Sequence, residues 1–228
     1  MTVPTLAGTW VADATALFLD AVDGLPDSAL DEPCALPGWT RRHLIAHVAG
    51  NAEALGRLVS WARTGVENPM YASPQQRAAD IAAGAAKPAA ELRAWLRGSA
   101  AELADGFASL PERAWSAQVV TAQGRRVPAT ELPWLRAREV AVHAVDLGTG
   151  LTFAVLPAGF CRALVDDVAR WRGARGDGPA LELATAGHTW TMPGLGGPHR
   201  IELPIDELAA WLTGRADRPD LPELPRWL

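Results

Sequence analysis

The chain has 228 residues, of which 49% are hydrophobic and 21% charged, with a formal net charge of −5. That composition belongs to a globular chain with a sizeable apolar core, long enough for one large domain or two small ones. The acidic balance, with no basic patch interleaved with aromatics, argues against nucleic-acid binding, and no run of about 18 apolar residues suggests a membrane span.

Two cysteines, Cys34 and Cys161, stand far apart without motif spacing. A disulfide framework is not expected, and a reducing cytoplasm is the simplest setting. The start, MTVPTLAGTW, lacks the basic and apolar segments of a signal peptide. Lys87 is the single lysine beside twenty arginines (21 basic residues less one), a bias typical of a GC-rich genome.

In chain order, residues 6–23 set Leu6, Trp10, Ala14, Leu17 and Ala21 at helical spacing, and Gly24-Leu25-Pro26 stops that helix. Residues 27–31 allow one more turn before a loop over 33–38. Thr40 can cap a second helix running to Thr64-Gly65, with Leu44, Ile45, Val48, Ala52, Leu55, Leu58 and Val59 as its apolar face. Residues 66–73 read as a loop. Ser73-Pro74 starts a third helix that runs to about Gly84, breaks near Lys87-Pro88, and resumes to Leu110 with Leu92, Trp95, Leu96, Leu103 and Phe107. Residues 115–129 read as a short hairpin or irregular excursion. A fourth helix follows from about Thr130 to Leu147. Three of the connections are short, which suits a four-helix bundle over 1–150.

Gly148-Thr149-Gly150 marks a boundary. Beyond it the pattern predicts a helix over 157–173, strands over 180–185 and 189–192 around a turn at Gly187-His188, a third strand over 199–203, and a helix over 205–214. The proline-rich tail, 219–228, should be extended and packed through Leu221, Leu224 and Trp227. The fold class is mainly α: a bundle domain over 1–150 and a small α+β domain over 151–228, an arrangement that can stand as a monomer.

The chemistry concentrates in Leu132 to Gly150, LPWLRAREVAVHAVDLGTG. Glu139 and His143 lie one helical turn apart and Asp146 follows three residues later, so the three side chains project from one side of a helix. A carboxylate and an imidazole one turn apart can bind zinc or a similar divalent ion together. His47, between Ile45, Ala46, Val48 and Ala49, is the natural third ligand from another bundle helix. His43, nearer the loop, is set aside as structural. The plainer alternative is that His47 is a hydrogen-bonded core residue, Glu139 pairs with Arg136 or Arg138, and His143 with Asp146 is a simple ion pair.

Three pieces carry a family resemblance: Leu36-Pro37-Gly38-Trp39-Thr40 followed by His43 and His47; Arg138-Glu139-Val140 followed by His143, Val145, Asp146, Leu147 and Gly148; and Trp211-Leu212-Thr213-Gly214-Arg215 followed by a Leu-Pro-rich ending at Leu228. Together they resemble the mycothiol-dependent maleylpyruvate isomerase family of actinobacteria. The resemblance implies a DinB-like four-helix bundle with zinc or another divalent metal held by His47, Glu139 and His143, and a small C-terminal domain. It implies mycothiol as thiol cosubstrate, Asp146 assisting catalysis, and Arg215 holding an anionic small-molecule substrate. The implied reaction turns maleylpyruvate into fumarylpyruvate by thiolate addition, rotation about the resulting single bond, and elimination. Transfer of the same thiol to another electrophile, or a bundle that only binds, are the other readings.

Overall fold

The computed structural model describes residues 3–227, with side chains from Ala7 onward, so Leu6 and Leu228 lie outside what is described here. The chain divides into two compact units, Met1–Thr149 and Gly150–Leu228.

The first unit holds five α-helices: α1 (Val3–Asp23), α2 (Arg41–Thr64), α3 (Pro74–Ala85), α4 (Ala89–Ala108) and α5 (Leu132–Asp146). A hairpin of β1 (Gln118–Val120) and β2 (Arg126–Pro128) precedes α5. Helices α1, α2, α4 and α5 form the bundle. Helix α1 packs on α5 and α4, and α2 packs on α4 and α5, so neighbours in sequence sit diagonally across the core. Pro88 separates α3 from α4, as the sequence suggests, but the break frees α3 to lie against α2 outside the four-helix core.

All seven apolar positions expected on α2 are buried. The face of α1 differs from expectation. Its core residues are Ala7, Ala14, Phe18 and Val22, while Leu17 and Ala21 are half-buried. Because α1 contributes apolar residues on more than one side, periodicity alone does not choose between adjacent stripes. Helix α5 is buried nearly all round: Leu132, Arg136, Ala137, Val140, Ala141, Val142, Ala144 and Asp146 are all inside.

In the second unit, α6 (Ala158–Arg175) packs on α7 (Ile205–Leu212) and on β4 of a three-stranded sheet ordered β4-β3-β5. Strands β3 (Pro179–Thr185) and β4 (His188–Met192) pair antiparallel, and β3 and β5 (Leu195–Glu202) pair parallel. The third strand therefore begins four residues before its expected start, since Leu195-Gly196-Gly197-Pro198 reads locally as a loop and joins β3 through a non-local pairing. Buried Arg172 ties the unit together, donating to the Leu212 carbonyl from Nε (3.2 Å) and Nη2 (2.9 Å) and to the Pro225 carbonyl from Nη1 (2.7 Å). It satisfies carbonyls left open at the end of α7 and fixes the tail. Trp227 is buried, with Leu221 and Leu224 half-buried.

Going from β4 to β5, the chain crosses the start of β3 within two residues. At Gly194 an added Cβ would overlap the Gly178 carbonyl oxygen and come within 2.5 Å of the Pro179 carbonyl carbon. Only glycine lets backbone pass backbone this closely. Gly194→Ala is expected to destabilise the second unit by about 1–3 kcal/mol, read as earlier thermal unfolding and faster amide exchange in residues 150–228. An unchanged transition would mean that the crossing has slack.

Candidate metal centre

Helices α2 and α5 bring His47, Glu139 and His143 together. The Nε2 atom of His47 lies 2.6 Å from Glu139 Oε1, and Nε2 of His143 lies 3.5 Å from the same oxygen. One ligand atom from each residue falls within 4.8 Å of the others, so the three could hold a metal ion. The imidazole rings of His47 and His143 meet edge-on, 5.0 Å apart. The ring of His47 also meets Trp39 edge-on at 5.5 Å. Trp39 is placed by the tight loop before α2, in which Cys34 N–H donates to the Trp39 carbonyl (3.1 Å) and Trp39 N–H to the Leu36 carbonyl (3.1 Å).

The donor set fits a divalent ion. Two imidazole nitrogens and a carboxylate leave a fourth position open, and tetrahedral bonds of about 2.1 Å put ligand atoms about 3.4 Å apart. The pair at 2.6 Å must open by less than 1 Å to reach that spacing.

Asp146 stands behind His143. Its Oδ2 lies 2.8 Å from His143 Nδ1, and it is 1% exposed. Nδ1–H therefore points at a carboxylate, leaving Nε2 turned toward Glu139. A second carboxylate that fixes the tautomer and orientation of a ligating histidine is a recurrent feature of metal sites. The end of α5 that carries both residues is itself held. Arg41 donates from Nε to the Leu147 carbonyl (2.7 Å) and from Nη2 to the Gly148 carbonyl (3.2 Å), and Ala35 N–H donates to the Asp146 carbonyl (2.8 Å).

The three groups carry different charges. Burial lowers the His47 imidazole, Glu139 offsetting only part of the effect, so it stays neutral. Burial would raise the Glu139 carboxyl, but the two imidazoles outweigh it and hold it well below the usual carboxylate range. Burial disfavours the His143 imidazolium too, yet hydrogen bonds to Asp146 and Glu139 bring its pKa up to about 9.

Residues not expected from the sequence complete the surroundings. Arg136, the largest fully buried side chain, donates from Nη1 to the Val48 carbonyl (2.8 Å) and Asn51 Oδ1 (2.9 Å). It makes no ion pair with Glu139, only a longer-range attraction. Arg77 on α3 places Nη2 3.2 Å from His47 Nδ1 and lies over the Tyr71 ring, beside a cavity of about 310 Å³ that reaches His47. His43 is engaged at the start of α2, where its Nδ1 accepts from Thr40 N–H (3.3 Å). Arg215 lies in the second unit, its Nη1 donating to the Thr213 carbonyl (2.7 Å) and its guanidinium over Trp227. Burial raises the Cys34 thiol and pushes Cys161 up to about 11, so neither is a ready nucleophile at neutral pH.

Residues 11–148 match the model of the mycothiol maleylpyruvate isomerase N-terminal domain. The crystal structure of a mycothiol-dependent maleylpyruvate isomerase is similar over 100% of this chain and 98% of that one, at 35% identity and a TM-score of 0.93. The chain belongs to the mycothiol-dependent maleylpyruvate isomerase family. A variant of that isomerase with one histidine replaced by alanine matches over the same shares, at 34% identity and a TM-score of 0.92. YfiT from Bacillus subtilis, described as a probable metal-dependent hydrolase with an unusual four-helix bundle topology, shares the fold. It matches at 15% identity and a TM-score of 0.53, over 64% of this chain and 83% of that one. No curated protein sequence matches the chain. Among the described residues, no helix is long and apolar enough to cross a membrane.

The charge states set how this family member should respond to pH. Below about 9 the His143 imidazole carries a proton that a metal must displace, whereas neutral His47 and ionised Glu139 have none to give up. Zinc uptake at pH 7 should release close to one proton per chain, and apparent affinity should climb as pH rises toward about 9. Asp146→Asn removes the carboxylate that holds that proton. Calorimetry in buffers of different ionisation enthalpy should then show less proton release, with zinc affinity weaker by about 10–100-fold. Equal proton release in both proteins would remove Asp146 from this role.

Proposed function

We propose that this protein is a zinc- and mycothiol-dependent cis–trans isomerase that converts maleylpyruvate to fumarylpyruvate in the cytoplasm. The observation that carries the reading is the convergence of His47, Glu139 and His143 in the bundle core of a chain that belongs to this family.

In this reading the three side chains are metal ligands. A divalent metal bound there would make a thiolate available at neutral pH from the incoming thiol. The protein's own residues prepare that step. Neutral His47 offers a lone pair once its Nε2 proton is displaced, Glu139 is ionised, and Asp146 aims the ring of His143. Trp39 and the surrounding α2 and α5 side chains keep the ligands out of bulk water, which strengthens each charge interaction. Both chain thiols are left out of the chemistry, because the cosubstrate brings the sulfur. The family resemblance gives Arg215 the task of gripping an anionic group of the substrate, a task suited to a guanidinium fork.

The deciding experiment measures zinc in untagged protein and follows maleylpyruvate with mycothiol. Wild type should hold close to one zinc per chain, and His47→Ala and His143→Ala should lose most of it. Product analysis should show the trans isomer with the thiol regenerated. A stable thioether would make the protein a thiol transferase instead, and wild type without zinc even after its addition would end the metal reading. Arg215→Ala should keep its zinc but turn over a dicarboxylate substrate at least tenfold less efficiently, consistent with the loss of one charged hydrogen bond. Unchanged turnover would return Arg215 to the structural role of closing α7.

A further inference from the structure

The contact between Arg77 and His47 is not compatible with a metal on His47. A guanidinium has only donors, so Arg77 Nη2, 3.2 Å from His47 Nδ1, requires a lone pair on that nitrogen. The hydrogen of the neutral ring then sits on Nε2, where it points at Glu139 Oε1, 2.6 Å away. Both neighbours assign the same tautomer. A metal on Nε2 takes the place of that hydrogen, and the ring stays neutral only by carrying its proton on Nδ1. Two N–H groups would then face each other, and Arg77 has to leave.

Its surroundings show where it can go. Among the described residues Arg77 has no carboxylate within ion-pair distance; its other neighbour is the ring of Tyr71, 5.7 Å from its Cζ. The cavity beside it, about 310 Å³, is lined by Arg57 and Lys87 as well, with Glu53 and Asp80 as its acids. Both acids are already engaged: Glu53 accepts from Trp95 Nε1 (2.6 Å) and Asp80 from Gln76 Nε2 (2.7 Å). Arg57 holds the wall in place by donating from Nε (2.9 Å) and Nη2 (2.5 Å) to the Met70 carbonyl, beside Tyr71. A guanidinium displaced from His47 swings into a cavity with free positive character, and the ligand that suits it is a carboxylate.

We infer that Arg77 is a carboxylate anchor switched by metal occupancy, held on His47 Nδ1 when no metal is bound and released to grip a carboxylate of the substrate when one is. This rests on the triad being a metal site. It implies that the anion pocket is assembled only in the metal-loaded protein, so substrate binds where a thiol can be activated.

The test uses succinate, a dicarboxylate with no double bond for a thiol to attack, titrated by calorimetry into zinc-free and zinc-loaded full-length protein. Direct ligation of succinate by zinc is common to wild type and Arg77→Gln, so the ratio of their affinities isolates Arg77. That ratio should be about tenfold or more with zinc, as for a lost charge-assisted hydrogen bond, and close to one without it. Imidazole nitrogen spectra should show His47 with its proton on Nε2 in the zinc-free protein and on Nδ1 after loading. Arg77→Lys, which keeps the charge but not the fork, gives the same comparison if the glutamine variant fails to fold. A ratio equal in the two states, or a zinc-free ring already protonated on Nδ1, overturns the switch while leaving the metal site standing. Failure of wild type to take up zinc overturns both.

Discussion

The pairing of α2 with α5 is the constraint on which the site depends, and a buried arginine sets its register. Arg136 reaches from α5 to the Val48 carbonyl and Asn51 on α2. Val48 follows His47, and Arg136 precedes Glu139 by three residues, so the same contact that aligns the helices brings His47 and Glu139 to 2.6 Å. Burying this guanidinium lowers its pKa to about 10, with Glu139 pulling the other way. Its Nη2 has no hydrogen-bond partner, so its charge is balanced by attraction across the core. A buried cation is costly unless an anion offsets it. Here the anion is the proposed metal ligand, and helix register and carboxylate ionisation support each other.

The bundle's connectivity explains where the site lies. Helices adjacent in sequence sit diagonally, so α5, last in the unit, enters between α1 and α2 and is enclosed on nearly every side. Its C-terminal carbonyls would be left unsatisfied there. Arg41, at the first position of α2, and the loop at Ala35 take them up. The end of α5 that carries His143 and Asp146 is thus the most firmly anchored part of the helix. The cavity, by contrast, is walled by α3, which packs outside the bundle core. At Gly84 of α3 an added Cβ would come within 2.6 Å of Trp95 and 2.8 Å of Ala46, so that wall is closely seated despite its place outside.

What could be read from the sequence follows the range of each interaction. The apolar stripe of α2 and the one-turn spacing of Glu139 and His143 are local and periodic, so they are legible. Choosing His47 over His43 needs only the apolar residues that flank it. The stripe of α1 is harder, because its apolar residues fit two adjacent faces and tertiary packing selects the one with Phe18 and Val22. The early start of β5 depends on a parallel pairing that no local signal encodes. Arg41, Arg77 and Arg136 escape sequence reading because each acts on a partner far along the chain: Arg77 on His47, 30 residues away, and Arg136 on Asn51, 85 away. In a chain with twenty arginines, nothing local separates these from surface ones.

The charge states of the triad give the site a direction of use. With His47 neutral, Glu139 ionised and His143 protonated, the three ligands together are electrically balanced, while Asp146 adds a buried negative charge held by His143. Exchanging one proton for a divalent ion raises the charge of the group by one unit. In a low-dielectric core that excess is felt strongly and attracts an anion. A thiolate cancels it where a neutral thiol cannot, which lowers the thiol's pKa without any basic residue to take its proton permanently. The cationic side chains along the cavity, Arg57, Arg77 and Lys87, extend the same bias outward to the carboxylates of a substrate. The arrangement favours negative charge at both ends of the proposed reaction partner, and it does so only when the ion, rather than the proton, occupies the triad.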